Sequence, residues 1–204
     1  MATTTAAIVA VLFGAGVYVC VCHSKHRHHV DQRRERERIP PVRAYRPIDR
    51  FFKMYTPPLV VLCLLVNHPL LLKVHDNTYV QVAGLVLAAL GMYSFLWSMR
   101  NLGNQFSPCD DALVPTEMVT SGPYRYVRHP LYSSNLLLMF GLFLLSGSLW
   151  LVANLLLMAI FYGIAMSREE ATLSDRFSQY REYRRTTGRL LPKLRFHRQQ
   201  GNER

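Results

Sequence analysis

The stretch L-Y-S-S-N-L-L-L-M-F-G-L-F-L-L-S-G-S-L-W-L-V-A-N-L-L-L-M-A-I-F-Y-G-I-A-M-S, Leu131 to Ser167, contains no Asp, Glu, Lys or Arg. Ser146-Gly147-Ser148 divides it into two apolar halves, and three small residues leave room only for a tight antiparallel turn. In such a hairpin the start of the first helix and the end of the second share one level. Tyr132 and Glu169 are therefore expected to be neighbours.

Three more runs free of those charges precede it: Ala6 to Cys22, Pro58 to Leu72 and Tyr79 to Met99. Half of the 204 residues are apolar, yet the net charge is +11, so charge is segregated in a way unusual for a soluble domain. A bilayer core of about 30 Å asks for about 20 helical residues. The pattern predicts an all-α integral membrane protein of about five transmembrane helices, with a C-terminal helical hairpin and a cytoplasmic cofactor site. The second run is the shortest, and Asn67-His68-Pro69 interrupts it, leaving a re-entrant segment as the alternative.

Lys and Arg number 10 in segment 23–57, 3 in 100–130 and 10 in 167–204, with only Lys73 elsewhere. With five crossings these three groups lie on one side, the cytoplasmic one; a re-entrant second run would break that segregation. The expected topology is N-terminus outside or lumenal and C-terminus cytoplasmic, in the endoplasmic reticulum of a eukaryote or the inner membrane of a bacterium. The basic segment Lys25 to Arg38 follows the first run rather than preceding it, as in a retained anchor rather than a cleaved signal. Residues 1–57 read as membrane anchor and basic segment, and 58–204 as the membrane core. Membrane lipids are expected partners and nucleic acid is not. The four cysteines suggest no disulfide framework. His23 to His29 has ligand-like spacing but no carboxylate or cysteine to complete a metal site, and none is assigned.

The chemistry concentrates in S-G-P-Y-R-Y-V-R-H-P-L-Y, Ser121 to Tyr132. A residue before proline is pushed out of the helical region and proline favours the first helical position, so a helix should begin at Pro130. Its unsatisfied N–H groups attract an anion, while Glu169 and Glu170 arrive from the other end of the hairpin. A ligand bearing ammonium and carboxylate on one carbon would bridge them. Gly122-Pro123 turns a strand-like Thr116 to Thr120 back over this spot, and Tyr124, Tyr126 and Tyr132 offer flat faces for an adenine ring or a sulfonium. Leu173, Phe177 and Tyr180 mark one face of an interfacial helix, and Leu190-Leu191-Pro192 a short apolar return. Asn135 and Asn154 read either as lining an acceptor path or as interhelical bonds, the latter preferred for Asn154. Gly84 and Gly91 read as close helix packing.

That run, the apolar hairpin, E-E-x-x-L-x-x-x-F-x-x-Y-x-x-Y from Glu169 and the terminal L-P together resemble the isoprenylcysteine carboxyl methyltransferase family of integral-membrane enzymes. The resemblance covers residues 106–192. It implies S-adenosylmethionine as cofactor and a lipidic or prenylated acceptor entering between helices. Carried over, the cofactor contacts are Thr116, Glu117, Met118, Val119, Tyr124, His129, Pro130, Leu131, Tyr132 and Glu169. Glu169 would take the methionyl ammonium, and His129 with the helix start the carboxylate. Methyl transfer to an existing carboxylate needs positioning rather than a protein nucleophile, so no catalytic residue is assigned. The eukaryotic members place a substrate-binding arginine where this chain has Ala165; Arg168 and Arg128 are the candidates for that role, with Arg100 beside them. Ser134, Ser178 and Thr187-Gly188 also depart from the family pattern. The alternatives are a phospholipid amine or small thiol as acceptor, an NADPH-dependent sterol reductase-like enzyme, and a non-enzymatic membrane adaptor.

Overall fold

The computed structural model describes residues 45–66, 69–105 and 115–193, and over these it is helical, with no strand. Five α-helices follow in order: α1 Tyr45–Leu65, α2 Thr78–Leu102, α3 Pro130–Ser146, α4 Leu149–Arg176 and α5 Tyr180–Thr186. The run Ala6 to Cys22 and the histidine cluster lie outside the described residues. At 1.5 Å per residue α2 is about 37 Å long and α4 about 42 Å, and both are long and apolar enough to cross a membrane; α3 is a shorter apolar helix.

The hairpin forms as its sequence requires. Gly147 takes a left-handed φ of 71° and its N–H caps Phe143 O at 2.7 Å. A segment before α2 fastens the turn: Val74 N–H donates to Gly147 O at 2.9 Å, and Ser148 Oγ and Trp150 Nε1 donate to the carbonyls of Leu71 (2.7 Å) and Leu70 (2.9 Å).

Packing follows residue size. Gly84, Ala88 and Gly91 form a stripe on α2 where α3 approaches; a methyl group placed on Gly141 of α3 would lie 2.4 Å from Ala88 N, so the backbones touch. Small residues at such a crossing are how helices associate without a hydrophobic drive between them. Val60, Cys63, Leu142 and Leu151 make the buried centre of α1, α3 and α4. Asn154 sits there with both groups of its amide satisfied: Oδ1 accepts from Thr56 Oγ1 at 3.3 Å, and Nδ2 faces the sulfurs of Met139 and Met158 at 3.4 Å each. Outward, Val86 and Leu90 of α2 and Leu157 and Ile160 of α4 are exposed, Ile160 to 64%. In water such stripes would be association surfaces; against lipid they are at rest.

Three features differ from the sequence reading. First, α1 does not begin near Pro58 but at Tyr45, continuing through Pro57 and Pro58. Its polar half is held by the i,i+4 pair Asp49–Lys53 at 2.5 Å and by Phe51 stacked on Tyr55 at 5.0 Å, local contacts that a reading of apolar runs passes over. Second, Leu173 is not on a separate interfacial helix: α4 runs unbroken to Arg176 and turns only at extended Phe177, before the short α5. Third, Thr116 to Thr120 is irregular rather than a strand. Pro115 brings no N–H, and Thr116 is gripped by the Gln105 side chain, which accepts from its backbone N–H at 2.9 Å.

Candidate functional site

The site is assembled where α3 begins, α4 leaves its apolar section and the chain returns after α5. Pro130 opens α3 behind His129, whose φ of −124° is non-helical, as the His-Pro pair requires. The return segment then lies along this entrance. Arg128 and His129 N–H donate to the carbonyls of Gly188 (2.8 Å) and Arg189 (3.1 Å), and Ser133 Oγ donates to Leu190 O at 2.7 Å. Gly188 is required by space, because a methyl group there would overlap Leu191 O at 1.7 Å.

The two glutamates of α4 face different surroundings. Glu170 is buried, its side chain 7% exposed, and its Oε1 accepts from Arg128 Nε (3.1 Å) and Nη2 (3.0 Å); His129 Nε2 stands at 3.1 Å and Arg189 Nε at 3.3 Å. Arg128 Nη1 donates to the carbonyls of Thr187 and Arg184. Every nitrogen of that guanidinium is thus engaged inside the protein. The acceptor-steering role expected of Arg128 gives way to a clamp, because the strap supplies carbonyls and α4 a carboxylate at bonding distance.

Glu169, one residue earlier, keeps its side chain 40% exposed. Tyr132 O–H donates to its Oε1 at 2.5 Å and His129 Nδ1 lies 3.5 Å from its Oε2, which places the expected neighbours together. His129 is buried between both carboxylates. Burial opposes its protonation, but the hydrogen bonds and charges of Glu169 and Glu170 outweigh that and raise its pKa above the ordinary 6.5. Tyr124 is buried nearby; burial, then the charge of Glu169, push its phenol well above the ordinary range. Its carbonyl accepts from Tyr183 O–H at 2.6 Å, tying α5 to the Gly122–Arg125 turn.

Of the sequence-derived residues, the structure brings Tyr124, His129, Pro130, Leu131, Tyr132 and Glu169 to one place, with Arg168 exposed beside them. Thr116, Glu117, Met118 and Val119 are not tied to this cluster by any hydrogen bond or ion pair among the described residues; Thr116 is held by Gln105 instead. Arg100 is exposed at the end of α2. Sequence reasoning gave no role to Arg189 or Tyr183, although Tyr183 closes the Y-x-x-Y motif; it read Leu190-Leu191-Pro192 as an apolar return but not the bonds of the Thr187–Leu190 strap, which run through backbone carbonyls that leave no sequence signal. Among the described residues no three His, Cys, Asp or Glu side chains gather as metal ligands.

The chain matches the family model described as phospholipid methyltransferase over residues 79–180, from α2 to the first residue of α5. It is 29% identical over 167 residues to the nickel-cobalt-cadmium resistance protein NccN of Alcaligenes xylosoxydans xylosoxydans, covering 76% of this chain and 73% of that protein. It is 40% identical over 82 residues to the cobalt-zinc-cadmium resistance protein CzcN of Cupriavidus metallidurans, covering 40% and 38%. The family match takes in half the sequence and both glutamates of the polar cluster, and from it the conclusion follows that this chain is a membrane protein belonging to the phospholipid methyltransferase family.

Proposed function

We propose that the protein uses S-adenosylmethionine to methylate a lipid-borne acceptor, and that the acceptor is the C-terminal carboxylate of a prenylated cysteine. The observation that carries this reading is Glu169: a partly exposed carboxylate beside the start of α3 and the ring of Tyr132, next to a buried glutamate whose Oε1 is held by Arg128. These groups fit the cofactor. Glu169 would hold the methionyl ammonium, His129 with the first N–H groups of α3 the carboxylate, and Tyr124 with Thr116 to Val119 the remainder. When bound, S-adenosylmethionine supplies an electrophilic methyl group on a sulfonium. Arg168, exposed on α4 next to Glu169, would meet an acceptor carboxylate. An acceptor that is already anionic needs orientation and exclusion of water, which alone are worth several kcal/mol of barrier. The segregated Lys and Arg support a cytoplasmic location for this end of the bundle.

The family's own description supports a second acceptor, a phospholipid amine. The test is calorimetric titration of the detergent-solubilised protein with S-adenosylmethionine and separately with NADPH, wild type against Glu169→Ala. Methylation assays with a farnesylated cysteine and with phosphatidylethanolamine then follow. Binding of S-adenosylmethionine lost in Glu169→Ala is the expected result; a response to NADPH alone would move the site to reductase chemistry.

A further inference from the structure

Two amides sit in the helical hairpin, and they are treated differently. Asn154 is buried with all its groups engaged by Thr56, Met139 and Met158. Asn135, one turn along α3 from Tyr132, is only half-buried; its Nδ2 donates to Tyr162 O–H at 3.2 Å, and its Oδ1 has no hydrogen bond among the described residues. On a half-buried side chain that carbonyl remains open to a donor from a ligand. The geometry around it is directional. Helical side chains lean toward their own N-terminus, so in an antiparallel pair Tyr132 leans out toward Glu169 while Tyr162 leans inward toward Asn135. The two rings meet at 4.6 Å, and Tyr162 packs against both the apolar centre and the Tyr132 cluster. Along its length α3 lies against α2 but touches α4 far less, so the Asn135–Tyr162 pair borders the looser seam of the bundle, about 4.5 Å below Tyr132.

We infer that Asn135, held by Tyr162, is the specificity contact for the acceptor: its Oδ1 receives the amide N–H that stands beside the carboxylate of a prenylated cysteine. This rests on the methyltransferase reading above. The prenyl chain remains in lipid, the amide is read at Asn135, and the carboxylate one carbon away is held toward Tyr132 and Glu169.

The test uses the full-length protein in lipid nanodiscs with two acceptors, N-acetyl-S-farnesylcysteine and S-farnesyl-3-mercaptopropionate, which carries the same chain and carboxylate without the amide. Direct binding and KM are measured for wild type, Asn135→Leu and Tyr162→Phe, with S-adenosylmethionine affinity as the check on folding. In Asn135→Leu the Kd and KM for the amide-bearing acceptor rise about tenfold, the worth of one hydrogen bond, while those for the amide-free acceptor and the S-adenosylmethionine affinity stay within about twofold. Tyr162→Phe, which keeps the ring packing, gives a smaller change in the same direction. Equal weakening of both acceptors, no amide preference in the wild type, or binding of phosphatidylethanolamine alone would overturn the inference while leaving the class intact. Failure of the wild type to bind S-adenosylmethionine would remove the class reading and the inference with it.

Discussion

Glu169 and Glu170 are chemically identical neighbours in opposite surroundings, so the sharpest prediction is a pair of isosteric changes. Glu170→Gln removes the negative charge from a carboxylate whose side chain is 7% exposed and which faces Arg128, His129 and Arg189. Arg128, equally buried, retains the carbonyls of Thr187 and Arg184 but no counter-charge. Stripping one partner from a buried ion pair costs about 3–5 kcal/mol, and the surviving hydrogen bonds put this case at the lower end, about 3 kcal/mol. At about 2–4 °C per kcal/mol for a chain of this size, the unfolding midpoint should fall by about 6–12 °C. Glu169→Gln should move it by less than about 3 °C, because that side chain is 40% exposed and surface pairs are worth under about 1 kcal/mol. Affinity for S-adenosylmethionine should behave inversely: Glu169→Gln loses a charge-assisted hydrogen bond worth about 1.5–3 kcal/mol, a drop of about 10- to 150-fold. Thermal unfolding in detergent and calorimetric titration measure both. A Glu170→Gln protein as stable as wild type, or a Glu169→Gln protein that loses stability and keeps cofactor affinity, would refute the division of labour.

His129 has its pKa raised in the folded protein, so its contribution is fully present below the unfolded value near 6.5 and is lost as pH rises through the folded value. Stability should therefore decline as pH climbs above about 6.5, and His129→Gln should flatten that part of the curve when unfolding is followed against pH. Gly188→Ala forces a methyl group into Leu191 O; overpacking of about 1–3 kcal/mol should free the strap, seen as protease cleavage beyond Thr186 while the apolar helices stay protected. Tyr183→Phe deletes the bond to Tyr124 O and should cost about 1 kcal/mol, read as a lower midpoint with acceptor preference unchanged. Gly141→Leu would drive α3 off Ala88, and loss of the folded species from detergent extracts, measured by size-exclusion chromatography, is the expected outcome.

The helical hairpin was legible because it is a local matter: Gly147 is the residue that accepts a left-handed φ, and the absence of charge on either side leaves no other use for the flanking runs. Pro130 was legible for the same reason, since its ring dictates the backbone on both sides. From these two points alone the meeting of Tyr132 and Glu169 follows. The start of α1 was not legible, because Asp49–Lys53 and Phe51–Tyr55 stabilise a helix without making it apolar. The return at Leu190 was legible, but the bonds of the strap were hidden for a different reason. Gly188, Arg189 and Leu190 accept from Arg128, His129 and Ser133 through main-chain carbonyls, which every residue type possesses, so no side chain announces those bonds. Arg128 was misjudged on the same account: its partners include two carbonyls whose position depends on the chain returning after α5.

The unequal lengths of the hairpin's two arms explain why the site stands where it does. From Gly147, α3 climbs about 25 Å to Pro130, whereas α4 climbs about 42 Å to Arg176. Tyr162 is therefore level with Tyr132, which their ring contact bears out, and Glu169 stands about 10 Å higher. The outward lean of Tyr132 and the inward lean of Glu169, each toward its own helix N-terminus, close that gap to give the 2.5 Å bond. Had the two helices been equally long, nothing on α4 would overhang the start of α3. With the mismatch, the first turn of α3 lies below a wall of α4 that carries both glutamates, and the strap covers that step from the side. On the proposed reading a polar ligand would reach the step from above and a lipid-borne group from below, through the seam at Asn135. The surplus length of α4 thus places both carboxylates above the first turn of α3, the arrangement that the proposed reaction between a water-soluble donor and a membrane-bound acceptor would use.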